Sequence, residues 1–191
     1  MKQFLIQVLK VALITVSGTA GAVILGLLVY GTSVFDISHP GFSFISFGVS
    51  GALVFAVYHV RGLAESITAA VVVSAIQFVA SSAYITMLRA VLFSFGLNLP
   101  VVVIAFLFER KLASWRAVRF LVVALTFGGM FVLLTLLVSV LSGQGGLPAT
   151  LFRENFVDGL LLGLGLGLGV GAGEAFLHSL EHPARPPEKT A

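Results

Sequence analysis

Six apolar runs, separated by charge, glycine or proline, constrain this chain more than any other feature. They are Val11–Val34, Phe42–Val60, Ile67–Leu88, Val91–Phe108, Phe120–Leu141 and Val157–Leu180. Each holds about 18 residues or more, and at about 1.5 Å per residue each spans most or all of a ~30 Å hydrocarbon core. The runs are predicted to be transmembrane helices, because an isolated strand in lipid would leave its backbone groups unpaired. Only 10% of the residues are charged and 58% are hydrophobic. A soluble chain carries about 25% charged residues, so water alone could not solvate this surface. The expected fold class is an all-α membrane protein, a six-transmembrane-helix bundle. Residues 1–182 are expected to form one polytopic domain, and residues 183–191 a short cytoplasmic tail.

Positive charge predicts the orientation. With the N-terminus in the cytoplasm, Lys2, Lys10, Arg61, Arg110, Lys111, Arg116, Arg119, Arg185 and Lys189 lie inside. Only Arg89 and Arg153 lie outside, and Arg89 alone marks the turn between spans three and four. Six spans then put both termini in the cytoplasm of a cell-membrane protein. Tyr30, Tyr58, Tyr84 and Trp115 all fall near predicted helix ends, where an aromatic belt belongs. Ala20-Gly21-Ala22 resembles a signal-peptidase site, but apolar residues continue through Val29, so an uncleaved span is expected.

The absence of cysteine excludes disulfides, thiolate catalysis and thiolate-held metals. No basic-aromatic patch suggests nucleic acid, and no cofactor is expected. There is no nucleotide-binding loop, so any energy from ATP must come from a partner.

Small and polar residues within the spans carry the remaining information. The sixth span repeats glycine in two rows: Gly159, Gly163, Gly167 and Gly171 on one face, Gly165, Gly169 and Gly173 on a roughly opposite one. Helices in lipid associate through close backbone approach, so this helix is expected to pack centrally, gripped from both sides. In the third span Ser66, Ser74, Gln77, Ser81 and Tyr84 fall within an arc of about 80° at 100° per residue. Span two offers Ser43, Ser46 and Ser50, and span four offers Asn98 just before Pro100. The proline removes a backbone donor and is expected to kink or open that helix, freeing the Gly96 carbonyl. Ser50, Ser74, Gln77, Ser81 and Asn98 either line a polar cavity or bond between helices. Glu174 is the most membrane-embedded carboxylate expected, and it completes the candidate ligand-binding set.

Two local patterns suggest chemistry. Glu174, His178, Glu181 and His182 share one helical face, and His178-Ser179-Leu180-Glu181-His182 fits the inverted zinc-peptidase spacing. Nothing in the sequence supplies a third ligand or a surrounding domain, so a solvated helix end is expected and no metal. Gly48-Val49-Ser50-Gly51 resembles the G-x-S-G of rhomboid intramembrane proteases, a family that implies a serine nucleophile. The rhomboid serine lies in the fourth core span and its histidine in the last, whereas Ser50 lies in the second. His59 is nine residues further on, about 13 Å along the same helix, out of reach as a base.

Span count, size and cytoplasmic termini are also similar to the substrate-binding subunits of energy-coupling-factor vitamin transporters, an architectural likeness that no motif carries. The expected function is a small-solute transport or solute-binding membrane subunit, with the ligand held among spans two, three, four and six. The alternatives are an assembly subunit docking through its glycine rows and an intramembrane enzyme. Besides lipid, the expected company is a small-molecule ligand and either a membrane-protein partner or a second copy.

Overall fold

A computed structural model describes residues 2–83, 86–110, 118–143 and 148–181. Tyr84, Trp115, His182 and the predicted tail lie outside the described residues, as do Lys111, Arg116, Arg185 and Lys189. Apart from short connections those described are helical, with no strand among them: α1 Lys2–Tyr30, α2 Ser43–Arg61, α3 Leu63–Ser81, α4 Met87–Arg110, α5 Arg119–Leu141 and α6 Ala149–Glu181. Two short 3-10 turns, Gly31–Phe35 and Pro40–Phe42, join α1 to α2. All six long helices are long and apolar enough to cross a membrane.

Three boundaries differ from the sequence reading. Helix α1 starts at Lys2, so Lys10 is helical and reaches Glu181 at the end of α6. The α3–α4 connection falls before Met87, and Arg89 lies inside α4 with its guanidinium 5.7 Å from the Phe93 ring centroid. Its long stem lets the charge reach the interface from within the first helical turn. Helix α6 begins at Ala149, well before Val157, and runs for 33 residues, about 50 Å. Pro100 lies inside α4, which the structure records as helical on both sides of it.

The helices form a closed ring in chain order, with α6 returning to α1. Helix α2 also touches α4 and α6 across the ring and is the most enclosed span. The sequence reading gave the central place to α6. The difference follows from small residues along α2: Gly48, Ser50, Gly51, Ala52 and Ala56 are all buried, so neighbours approach it on several sides. A Cβ added at Gly51 would lie 2.9 Å from Leu166, and one at Gly18 would lie 2.7 Å from Ala52.

Helix α6 packs between α1 and α5. A Cβ at Gly163 would lie 2.6 Å from the Val123 carbonyl oxygen, and one at Gly159 would lie 2.5 Å from that of Phe127. At Gly167 it would meet the Phe120 Cα at 2.7 Å. On the other face, a Cβ at Gly165 would collide with the Gly21 carbonyl, and one at Gly169 with that of Ser17. Gly173 abuts the Ser17 hydroxyl, whereas Gly171 has only the Arg119 guanidinium nearby, at 3.8 Å. Backbone therefore lies against backbone on two sides of one helix.

The α2–α3 turn is a single residue. Gly62 has φ +100°, a conformation open to glycine and strained for other residues. Its N–H donates to the Tyr58 carbonyl at 2.9 Å, and its own carbonyl accepts from Ser66 N–H at 3.2 Å. At the opposite end, Asp36 accepts from both the N–H and the hydroxyl of Ser38, which hold its carboxyl below the usual carboxylate range.

Candidate functional site

Polar side chains gather in two places, and the sequence-derived candidates divide between them. The first is a buried knot joining α2, α3 and α4. Gln77 on α3 donates through Nε2 to the Ser46 carbonyl at 2.8 Å and to the hydroxyls of Ser46 and Ser50 at 3.0 Å. Its Oε1 accepts from Asn98 Nδ2 at 2.6 Å. Asn98 also donates to the Ser94 carbonyl at 2.9 Å and to Ser74 Oγ at 3.2 Å. Ser74 donates to the Ser94 carbonyl at 2.9 Å, tying α3 to α4 a second time. Nearer the α2–α3 turn, Ser66 donates to the Val54 carbonyl at 3.1 Å.

Apart from Ser66, these groups form one connected set, and the packing around it is tight. Asn98 is 1% exposed, and Ser50, Ser74 and Ser94 are buried. Among the described residues, no buried side-chain nitrogen or oxygen is without a partner. Of the two readings left open by the sequence, the geometry is that of bonds between helices. Helix α6 takes no part in the knot, although the expected ligand position included it. Ser81 turns back to the Gln77 carbonyl of its own helix, at 2.6 Å. Ser50 has the Gln77 amide and, at 3.4 Å, the Phe47 carbonyl beside its hydroxyl, while His59 faces Glu174. Among the described residues, the contacts of the Ser50 hydroxyl are the Phe47 carbonyl and the Gln77 amide, neither of which is the general base that a serine nucleophile requires.

The second place is a cleft of about 580 Å³ between the N-terminal part of α1, the end of α2, the start of α5 and the end of α6. Glu174 sits within it, about seven residues or 10 Å before the end of α6. Both of its oxygens accept from the Arg119 guanidinium, a two-pronged contact. His59 Nδ1 lies 3.7 Å from Oε1 of the same carboxylate. Lys10 pairs with Glu181 at the more exposed rim, while Gln7 and His178 complete the polar lining. Of the six predicted ligand-binding residues, only Glu174 lines this cleft. Among the described residues, no three His, Asp or Glu side chains converge as a metal-holding set, and His182 of the zinc-like pattern is outside them.

Arg119 was legible only as an orienting charge and His59 only as an unsuitable base. Their convergence on Glu174 joins α2, α5 and α6, which no local spacing encodes. The sequence reading missed a second long-range pair altogether. Tyr30, the last residue of α1, donates to Asp158 Oδ2 at 2.6 Å. His39 meets the Tyr30 ring edge-on, with centroids 5.2 Å apart. Asp158 and Glu174 are sixteen residues apart on α6, about 24 Å, so these polar pairs mark opposite ends of the span.

The described residues define an all-helical protein with six helices long and apolar enough to cross a membrane. No family model, curated protein or solved structure matches the chain.

Proposed function

We propose that this chain is a small-solute binding or transport subunit of a cell membrane, with both termini in the cytoplasm and its solute site in the Glu174 cleft. The observation that carries the reading is the cleft itself. It is about 580 Å³, within the range of small-molecule sites, and it combines paired charges with an apolar wall from Val60, Ala175 and Leu177. Charged groups within a span, as Glu174 is, are costly and are retained mainly where they serve a solute, an ion or a partner.

The same end of the bundle supports the proposed orientation. The start of α1 and the end of α6 meet there through Lys10 and Glu181, and the α2–α3 turn and the start of α5 lie alongside. Lys10, Arg61 and Arg119 therefore cluster at this end, while Arg89 and Arg153 stand at the starts of α4 and α6, at the other. The positive-inside rule supports a cytoplasmic cleft end. Assembly through the glycine rows is disfavoured, because both rows already carry the chain's own α1 and α5.

The test is thermal unfolding of the detergent-purified chain against a library of small polar metabolites. A solute at 100 times its Kd adds about 2.7 kcal/mol of stability. At least one solute class should raise Tm, with the rise abolished in Arg119→Gln and retained in Asn98→Leu. Unchanged melting across the library, or a rise that persists in Arg119→Gln, contradicts the reading.

A further inference from the structure

Which solute the cleft accepts is constrained by the ion pair inside it, and this step rests on the solute-site reading above. Side-chain exposure is 16% for Arg119 and 21% for Glu174, so most of each charged group is already out of water. A ligand that enters between them must replace what it removes, because a desolvated charge left without a partner is strongly unfavourable.

Three ligand classes behave differently there. A simple anion takes Arg119 and leaves the Glu174 carboxylate with His59, 3.7 Å away, in place of the two-pronged contact. A simple cation takes Glu174 and strands the guanidinium. A neutral polyol can bond to either group but leaves the pair shielding itself and gains little from it. A solute carrying a carboxylate and an ammonium a few ångströms apart exchanges both partners at once, its carboxylate onto Arg119 and its ammonium onto Glu174. The two-pronged Arg119 contact with Glu174 suits this exchange, since a guanidinium fork donates to any carboxylate in the same geometry. The second pair, Lys10 with Glu181, lies about 10 Å further along α6 and leaves the apolar wall between them for a side chain.

We propose that the Arg119–Glu174 cleft binds a small zwitterion of the α-amino-acid type by exchanging its internal ion pair for the ligand's two charges. The experiment is isothermal titration of the full-length chain in detergent with the common L-α-amino acids, followed by a matched set for whichever binds tightest. For leucine the set is isocaproate, which lacks the amine, and isoamylamine, which lacks the carboxylate; a neutral sugar is the uncharged probe. The wild type should bind the zwitterion at least tenfold tighter than either singly charged analogue or the sugar. Glu174→Gln should reverse the order, because Arg119 then has no internal partner: the carboxylate analogue gains affinity over its wild-type value and the amino acid loses it. Arg119→Gln should favour the amine analogue correspondingly.

The wild-type analogue series alone decides the matter if either variant fails to fold. Equal affinity for zwitterion and single-charge analogue overturns the ligand class and leaves the solute site standing. So does a library hit confined to sugars or simple anions. Absence of binding by every solute class overturns both the class and the functional reading beneath it.

Discussion

Replacing Gln77 with leucine separates a structural knot from a ligand pocket. The side chains are similar in size, so the change removes hydrogen bonds with little change of packing. Four contacts are lost: those to the Ser46 carbonyl, the Ser46 and Ser50 hydroxyls, and the one from Asn98. Interhelical hydrogen bonds within a membrane average about 0.6 kcal/mol each, and the two Nε2 hydrogens plus the bond to Oε1 make three, about 1.8 kcal/mol. Part is recovered, because Ser50 already lies 3.4 Å from the Phe47 carbonyl and Asn98 keeps the Ser94 carbonyl. The expected loss is about 1.5 kcal/mol, a fall of roughly tenfold in the folded-to-unfolded ratio. Reversible SDS unfolding in mixed micelles, followed by circular dichroism, measures it. Asn98→Leu should cost a similar amount, and the double variant less than the two together, since the bond of 2.6 Å between these side chains is removed only once. A loss below about 0.5 kcal/mol in Gln77→Leu, or strict additivity of the pair, refutes the reasoning.

Glycine at two positions should respond in opposite ways. Gly163→Ala places a methyl 2.6 Å from a backbone oxygen that cannot step aside, so α5 and α6 must separate, at a cost of about 1–3 kcal/mol in the same unfolding assay. Gly129→Ala meets nothing within 4 Å and should be neutral or slightly stabilising; equal losses at both sites would contradict the packing. Tyr30→Phe removes the donor to Asp158 and should cost about 1–3 kcal/mol, an effect that Asp158→Asn should reduce in a double-variant cycle if the two groups are paired.

Helices were legible in the sequence where lipid dictates them, and much less so where long-range contacts decide. An apolar run long enough to cross a bilayer has few alternatives, so all six spans stood out. The α3–α4 turn was displaced because apolar residues continue on both sides of it and Arg89 looked like a break; inside a helix its charge lies beside the Phe93 ring instead. The first turns of α6 read as loop because Arg153, Glu154 and Asn155 are polar, yet Phe152 and Phe156 stack there with ring centroids 6.5 Å apart. Polar stripes on α2, α3 and α4 were visible as faces. Their partners were not, because Gln77 meets Ser46 across 31 positions of sequence. Glu174 was singled out by its expected depth, yet Asp158 lies nine residues inside the start of α6 and Glu174 only seven inside its end. The pairing that makes it a site, with Arg119 from α5 and His59 from α2, exists only once three helices have packed.

The most direct test of the account uses the absence of cysteine from the chain, which makes any introduced thiol unique. Gln7→Cys puts that thiol on the wall of the Glu174 cleft. In sealed vesicles a membrane-impermeant maleimide should label it from the cytoplasmic side only, and any solute that stabilises the wild type should slow the labelling. Labelling from the opposite side would contradict the orientation, and a rate that such a solute leaves unchanged would contradict the cleft as its binding place.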